Sequence, residues 1–275
     1  MTIEMFGEIV SDDWAWLYEF FGITHCSPKQ VRDAIQSLPA GEDLVLEINS
    51  PGGDVWAGFE IYGLLQACRA GTEAHIIALA ASAATTVMCG CDTVLASPVA
   101  QIMIHQPSAY IDDYLNNDGA RQLQNYLDSV KASIINGYVI KSAGKANRKK
   151  FEQLVDDSTW MPAQDAQVLG LVDGFLDLDD ESAAKIAADG GVHVSNAVGL
   201  SPAPKALLGR YEAAVRAGTM DAAPGHPVPA ACAAACAAAP ETMNAGPADM
   251  NDLPDVDLIG DWHLMAAIDL ERARM

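Results

Sequence analysis

DLVLEINSPGG, residues 43–53, reads as a short strand over Asp43–Asn49 closed by the turn-forming Ser50-Pro51-Gly52-Gly53. From Trp56 to Arg69, the apolar residues Trp56, Phe59, Ile61, Leu64, Leu65 and Cys68 recur close to the spacing of a helix with one buried face. Strand, glycine turn and helix in that order make the first half of a βαβ unit, and the pattern repeats downstream. Ala74–Ala80 is a second strand, a helix begins near Ser82, and Thr93–Leu95 and Gln101–Ile104 are further short strands. Such units in succession imply an α/β fold around a mainly parallel sheet, because parallel neighbours need a crossover.

The alternating pattern runs from Ile3 to about Leu178. Gly119–Ser142 is a long helix whose Leu123, Tyr126, Leu127, Val130, Ile134 and Ile135 form a stripe, suited to its own core or to a neighbouring subunit. Arg148–Val155 and Ala163–Leu169 are shorter helices, the second stopped by Gly170, and Leu171–Leu176 is a closing strand. The composition then changes. Fourteen of the nineteen residues in Ala222–Pro240 are Ala or Pro, the make-up of a linker, and Asp252–Met275 regains apolar periodicity at Leu258, Trp262, Met265 and Ile268. The expected organisation is one domain over residues 1–197, a low-complexity linker over 198–251 and a short terminal helix or docking motif over 252–275.

The 275 residues are 50% hydrophobic, ample for a core, and carry a net charge of −21. A field of that sign repels phosphate backbones and anionic lipid, so neither nucleic acid nor a membrane surface is an expected partner. His75–Cys91 is long and apolar, but Ser82, Thr85 and Thr86 interrupt it, and a buried strand running into a buried helix explains it better than a membrane span. The N-terminus carries Glu4, Glu8, Asp12 and Asp13 and does not read as a signal peptide. Cys26, Cys68, Cys89 and Cys91 sit in apolar surroundings, which fits a reducing compartment. Cys232 and Cys236 share a helical spacing but have no second ligand pair nearby, so no metal site is expected there.

Three features carry chemistry. Gly52-Gly53 allows close approach of another group and leaves backbone N–H groups to face an oxyanion, although the same residues serve an ordinary turn. Ser82 stands among alanines at a helix start, where unpaired N–H groups and the dipole favour developing negative charge; a plain N-cap serine looks the same. His105 ends the apolar strand Ile102-Met103-Ile104 before Pro107, a place for a general base or for a structural histidine. Together they are the minimum parts for acyl transfer.

INSPGGDVWAGFEIYGLL, ALAASAATTVMCG, MIHQP and TWMPAQDAQVLGLVDG, in that order, resemble the motifs of the ClpP-type serine peptidases. The N-terminal wording, IEMFGEIVSDDWAWLYEFFGIT, is most similar to the ClpP-related head maturation (prohead) proteases of tailed phages. The likeness covers roughly residues 3–178. It implies a ClpP/crotonase-like fold of repeated β-β-α units with a protruding long helix, followed here by a poorly structured Ala/Pro-rich extension.

The resemblance further implies Ser82 as nucleophile, His105 as general base and the N–H groups of Gly53 and Ala83 as the oxyanion hole. The family's acidic third member falls on Ser158, so Asp157, after a one-residue adjustment of the turn, is the expected partner of His105, with Asp156 second. If neither reaches, Ser158 or a carbonyl orients the ring in a dyad. The implied protein is a homo-oligomeric ring without cofactor that cleaves capsid and scaffold proteins in the cytoplasm of an infected bacterium or inside the prohead. The alternatives are a catalytically impaired assembly factor and a crotonase-like acyl-CoA enzyme, for which a paired serine and histidine would be superfluous.

Overall fold

In chain order the elements of the computed structural model are β1 (Thr2–Ile9), α1 (Asp12–Phe20), β2 (His25–Cys26), α2 (Pro28–Ser37), β3 (Leu44–Gly53), α3 (Val55–Ala67), β4 (Thr72–Ala81), α4 (Ala83–Met88), β5 (Thr93–Ala96), β6 (Gln101–Ile104), α5 (Asn117–Ser142), α6 (Arg148–Asp156), β7 (Thr159–Pro162), α7 (Ala163–Leu169), β8 (Gly174–Phe175) and α8 (Pro204–Arg216). The structure describes residues 1–111, 114–176, 204–218 and 223.

The fold is α/β, as expected. Strands run in the order β2-β1-β3-β4-β5-β8, all parallel. Along β3 every second residue is buried, Leu44, Leu46 and Ile48 facing the core, and β4 adds Ala74 and Ile76. Local chemistry sets the helix ends. Gln30 reaches back to the Ser27 N–H, Asp54 accepts from Ala57 N at 2.7 Å, and Asn116 and Asn147 cap α5 and α6 through Gly119 N and Lys150 N.

β4 changes partner along its length, and this positions the site. Glu73–Ile76 pair with Thr93–Ala96 of β5, whereas Leu79–Ala81 pair with Gln101–Met103 of β6. The register against β3 slips where the hand-over occurs, since Ile48 faces Ile76 and Ser50 faces Ala80. β6 is thereby brought beside the end of β4, and β7 pairs antiparallel with β6.

Several boundaries differ from expectation. Ser50-Pro51-Gly52-Gly53 is not a turn beyond the strand: β3 continues through Gly53, with Glu8 opposite Gly52 and Ile9 opposite Gly53. The closing strand is only Gly174–Phe175, and β7 replaces what sequence patterning leaves unassigned. Helix α5 buries Val130, Ile134, Ile135 and Tyr138, while its first half, including Tyr126, stays largely exposed. The His75–Cys91 stretch is the end of β4 followed by α4, with Val87 and Met88 fully buried, and among the described residues no helix is long and apolar enough to cross a membrane. Cys26, Cys89 and Cys91 are buried free thiols, with burial pushing Cys26 and Cys91 up to about 12.

Within the range expected to be linker, α8 is a packed helix. Tyr211, 2% exposed, meets Trp16 and Phe20 of α1 edge-on at centroid distances of 5.3 and 5.0 Å, and Arg210 lies over Phe21. The Ala/Pro bias of the neighbouring sequence hides these few anchoring side chains. Apart from Ala217, Gly218 and Ala223, the remainder of 198–251, with Cys232 and Cys236, and the motif at 252–275 lie outside the described residues. Tyr211→Ala is expected to cost about 3 kcal/mol, the usual penalty for removing a buried aromatic ring, read as a lower midpoint in urea unfolding.

Candidate active site

Ser82 is delivered by the abrupt change from β4 to α4. Its backbone has φ 56 and ψ −122, a conformation strained for any residue with a Cβ, and it holds because the surroundings fix it from both sides. Ser82 N donates to Met103 O at 2.8 Å, and the buried Thr85 hydroxyl lies 2.8 Å from Ala80 O and 2.7 Å from Met103 O. These contacts tie the β4–α4 corner to β6, and two residues beyond Met103 the same strand presents His105. Ser82 Oγ and His105 Nε2 stand 2.7 Å apart.

Gly52 and Gly53 make the opposite wall. A Cβ on Gly52 would sit 2.5 Å from Ala81 O and 2.7 Å from Ser82 Cβ, and one on Gly53 would sit 2.1 Å from Ile9 O. With φ of +93 and +145 as well, neither position accepts a larger residue without displacing the serine corner or β1. Gly58 lets α3 close on Ala83 in the same manner, its virtual Cβ 3.2 Å from Ala83 Cβ. The structure therefore gathers Gly53, Ser82, Ala83 and His105 around one cavity of about 640 Å³.

His105 is half-buried, and that burial is what lowers its pKa below the ordinary histidine value. Among the described residues no carboxylate is a cause of that shift. Asp157, the expected third member, is exposed at the C-terminus of α6 and forms no hydrogen bond with His105. Asp156 is engaged elsewhere: its Oδ1 accepts from Gln106 Nε2 at 2.8 Å and from Lys131 Nζ. The antiparallel pairing of β6 with β7 ends at Ile104 opposite Thr159, and Ser158, with φ +51, immediately precedes β7. Sequence reasoning missed the register because it missed β7. It also missed Thr86, Tyr138, Trp160 and Glu8 in the cavity wall, which lie far apart in the chain and carry no local motif. Trp160 Nε1 is buried there without a hydrogen-bond partner.

The Clp protease family model matches residues 33–178, more than half of the chain. The chain belongs to the Clp protease family. The ATP-dependent Clp protease proteolytic subunit 1 of Chlamydia muridarum is 35% identical over 159 residues, covering 54% of this chain and 80% of its own length. The same subunit of Chlamydia pneumoniae is 33% identical over 159 residues, covering 54% of this chain and 81% of its own. Among solved structures, the ClpP1 N165D mutant from Listeria monocytogenes superposes with a TM-score of 0.52 at 18% identity, over 65% of this chain and 92% of that one. That last likeness speaks for the fold. The Clp match spans β3 through β8 and so contains all four residues gathered around the cavity.

Two consequences of this geometry are measurable. Gly52→Ala forces the Ser82 corner to move, and a displacement of about 1 Å is expected to slow labelling of Ser82 by a fluorophosphonate about 100-fold. In the parent protein the labelling rate is expected to fall with acidification through a midpoint below 6.5, because a lowered pKa keeps the imidazole neutral, and able to take a proton, further into acid.

Proposed function

We propose that the chain is a serine endopeptidase in which Ser82 Oγ attacks the scissile carbonyl while His105 Nε2 takes its proton and later returns it to the leaving amine. The observation that carries this reading is the 2.7 Å contact between those two atoms beside the Gly52-Gly53 wall. The N–H groups of Gly53 and Ala83 would receive the oxyanion; Ala83 is the first residue of α4, where a helical N–H has no partner within its own helix. The bond changes balance without metal or cofactor. An acyl ester forms on Ser82 as the amine leaves, and water, deprotonated by His105, releases the acid.

For the third member we favour a dyad steadied from the Ser158 position over a triad through Asp157. The exposure of Asp157 supports this, as does burial acting alone on the His105 pKa. Such a site holds the imidazole tautomer less firmly than a carboxylate would. That weaker hold is what favours the second reading, an assembly factor of reduced activity.

The N-terminal resemblance to prohead proteases supports capsid and scaffold proteins as substrates, in a homo-oligomeric ring that encloses the sites. The exposed first half of α5, with Tyr126 at 42% exposure, is consistent with contacts between subunits. The test is to incubate the full chain and Ser82→Ala with the neighbouring capsid and scaffold proteins and read intact masses. The peptidase reading expects discrete cleavage that Ser82→Ala abolishes; uncleaved proteins and no fluorophosphonate label on Ser82 would leave the assembly-factor reading. Asp157→Asn is expected to change kcat by less than tenfold, against a loss of about 10⁴ when a triad aspartate is made neutral.

A further inference from the structure

One charged group in the cavity wall has no part in the chemistry above. Glu8 comes from β1, where two steps along the strand, Phe6 to Glu8, face three along β3, Asn49 to Gly52. The slip, with Gly7 at φ +80, brings the Glu8 side chain against the glycine wall: its Cγ would lie 2.9 Å from a Cβ on Gly53. Glu8 lines the same cavity as Ser82 and His105.

One oxygen of this carboxylate is held and the other is not. Oε2 accepts from the hydroxyl of Tyr18 at 2.8 Å, and Tyr18 is 1% exposed, so the carboxylate is fixed in direction. Among the described residues Oε1 has no hydrogen-bond partner, and Glu8 forms no ion pair. Among the described residues no lysine or arginine lines the cavity, and the other carboxylate there, Asp54, is committed to capping α3. Burial raises the Glu8 pKa and only the Tyr18 hydroxyl opposes it, the signature of an anion partly stripped of water and given no cation in return.

We propose that Glu8 is a specificity-determining residue that seats a cationic side chain of the peptide substrate, lysine or arginine, beside the Gly52-Gly53 wall. The inference rests on the peptidase reading and adds to it a preference that the apolar lining at Met103 and Ile134 would not supply. A substrate ammonium or guanidinium reaching Oε1 would complete a charge-assisted hydrogen bond and offset the desolvation of the carboxylate; a substrate carboxylate at the same place would meet repulsion. A purely structural Glu8, present only to tie α1 to β1 through Tyr18, would leave substrate choice untouched.

The experiment uses the full chain and a panel of otherwise identical peptides in which Lys, Leu or Glu is stepped through the positions flanking the cleaved bond. Each peptide is read by kcat/KM and by how well it protects Ser82 from fluorophosphonate labelling, so binding is measured even where turnover is slow. The expected result is a preference for Lys over Glu of about tenfold or more at one position, the worth of a hydrogen bond to a charged group. Glu8→Gln, which still offers an oxygen to Tyr18, should reduce that preference to within about threefold, and Glu8→Lys should turn it toward Glu. A labelled protein that does not distinguish Lys from Glu, or whose preference survives in Glu8→Gln, overturns the inference alone. A protein in which Ser82 takes no label overturns the peptidase reading and this inference with it.

Discussion

The approach of the Gly52 backbone to the Ala81-Ser82-Ala83 corner is the constraint on which the rest depends. Two strands and a helix start are held at distances that leave no volume for a methyl group. Because β3 continues as a paired strand through Gly53, that wall is rigid sheet rather than loop, and the strained Ser82 backbone faces a surface that cannot recede. The hydrogen bond from Ser82 N to Met103 O then transmits the corner's position to β6, so the serine and the histidine are fixed by one continuous set of backbone contacts. Under the proposed peptidase reading, preorganisation of this kind is what would let a weakly nucleophilic hydroxyl react.

What the amino-acid sequence made legible is what is encoded locally. The strand over Asp43–Asn49, the helix that follows it and the Gly170 stop read directly, because neighbours in the chain determine them. Ser82 and His105 also read directly, each lying in a short motif at an element boundary. Which of Asp156, Asp157 and Ser158 comes nearest His105 did not, because that depends on the register between β6 and β7, two strands separated by the whole of α5 and α6. A one-residue choice there moves a side chain to the opposite face of the sheet, and no local pattern around Asp156-Asp157-Ser158 settles it. Glu8 was invisible for the same reason: only the pairing of β1 with β3 brings it to the glycine wall.

The split of β4 between two partners accounts for the placement of the cavity. Its first half continues the parallel sheet through β5, while its second half carries β6 and β7 away from that line, opening a space flanked by β3 on one side and α5 on the other. Ligands in parallel α/β sheets settle where neighbouring connections diverge at the carboxyl ends of strands, and this bifurcation is such a place. The long helix that supplies Ile134 and Tyr138 to the cavity also extends an exposed half outward, so one rigid rod touches both the interior of the site and the molecular surface.

The docking of α8 on α1 bears on where the chain can be cut or joined. Trp16 and Phe20 are roofed by Tyr211, a residue that a boundary drawn at 197 would discard. A shortened version ending there would present a bare aromatic ledge to water and invite self-association unrelated to any native assembly. Ala223 N donates to the Tyr211 hydroxyl at 2.9 Å, so an appended sequence belongs beyond that contact and not directly after Gly218.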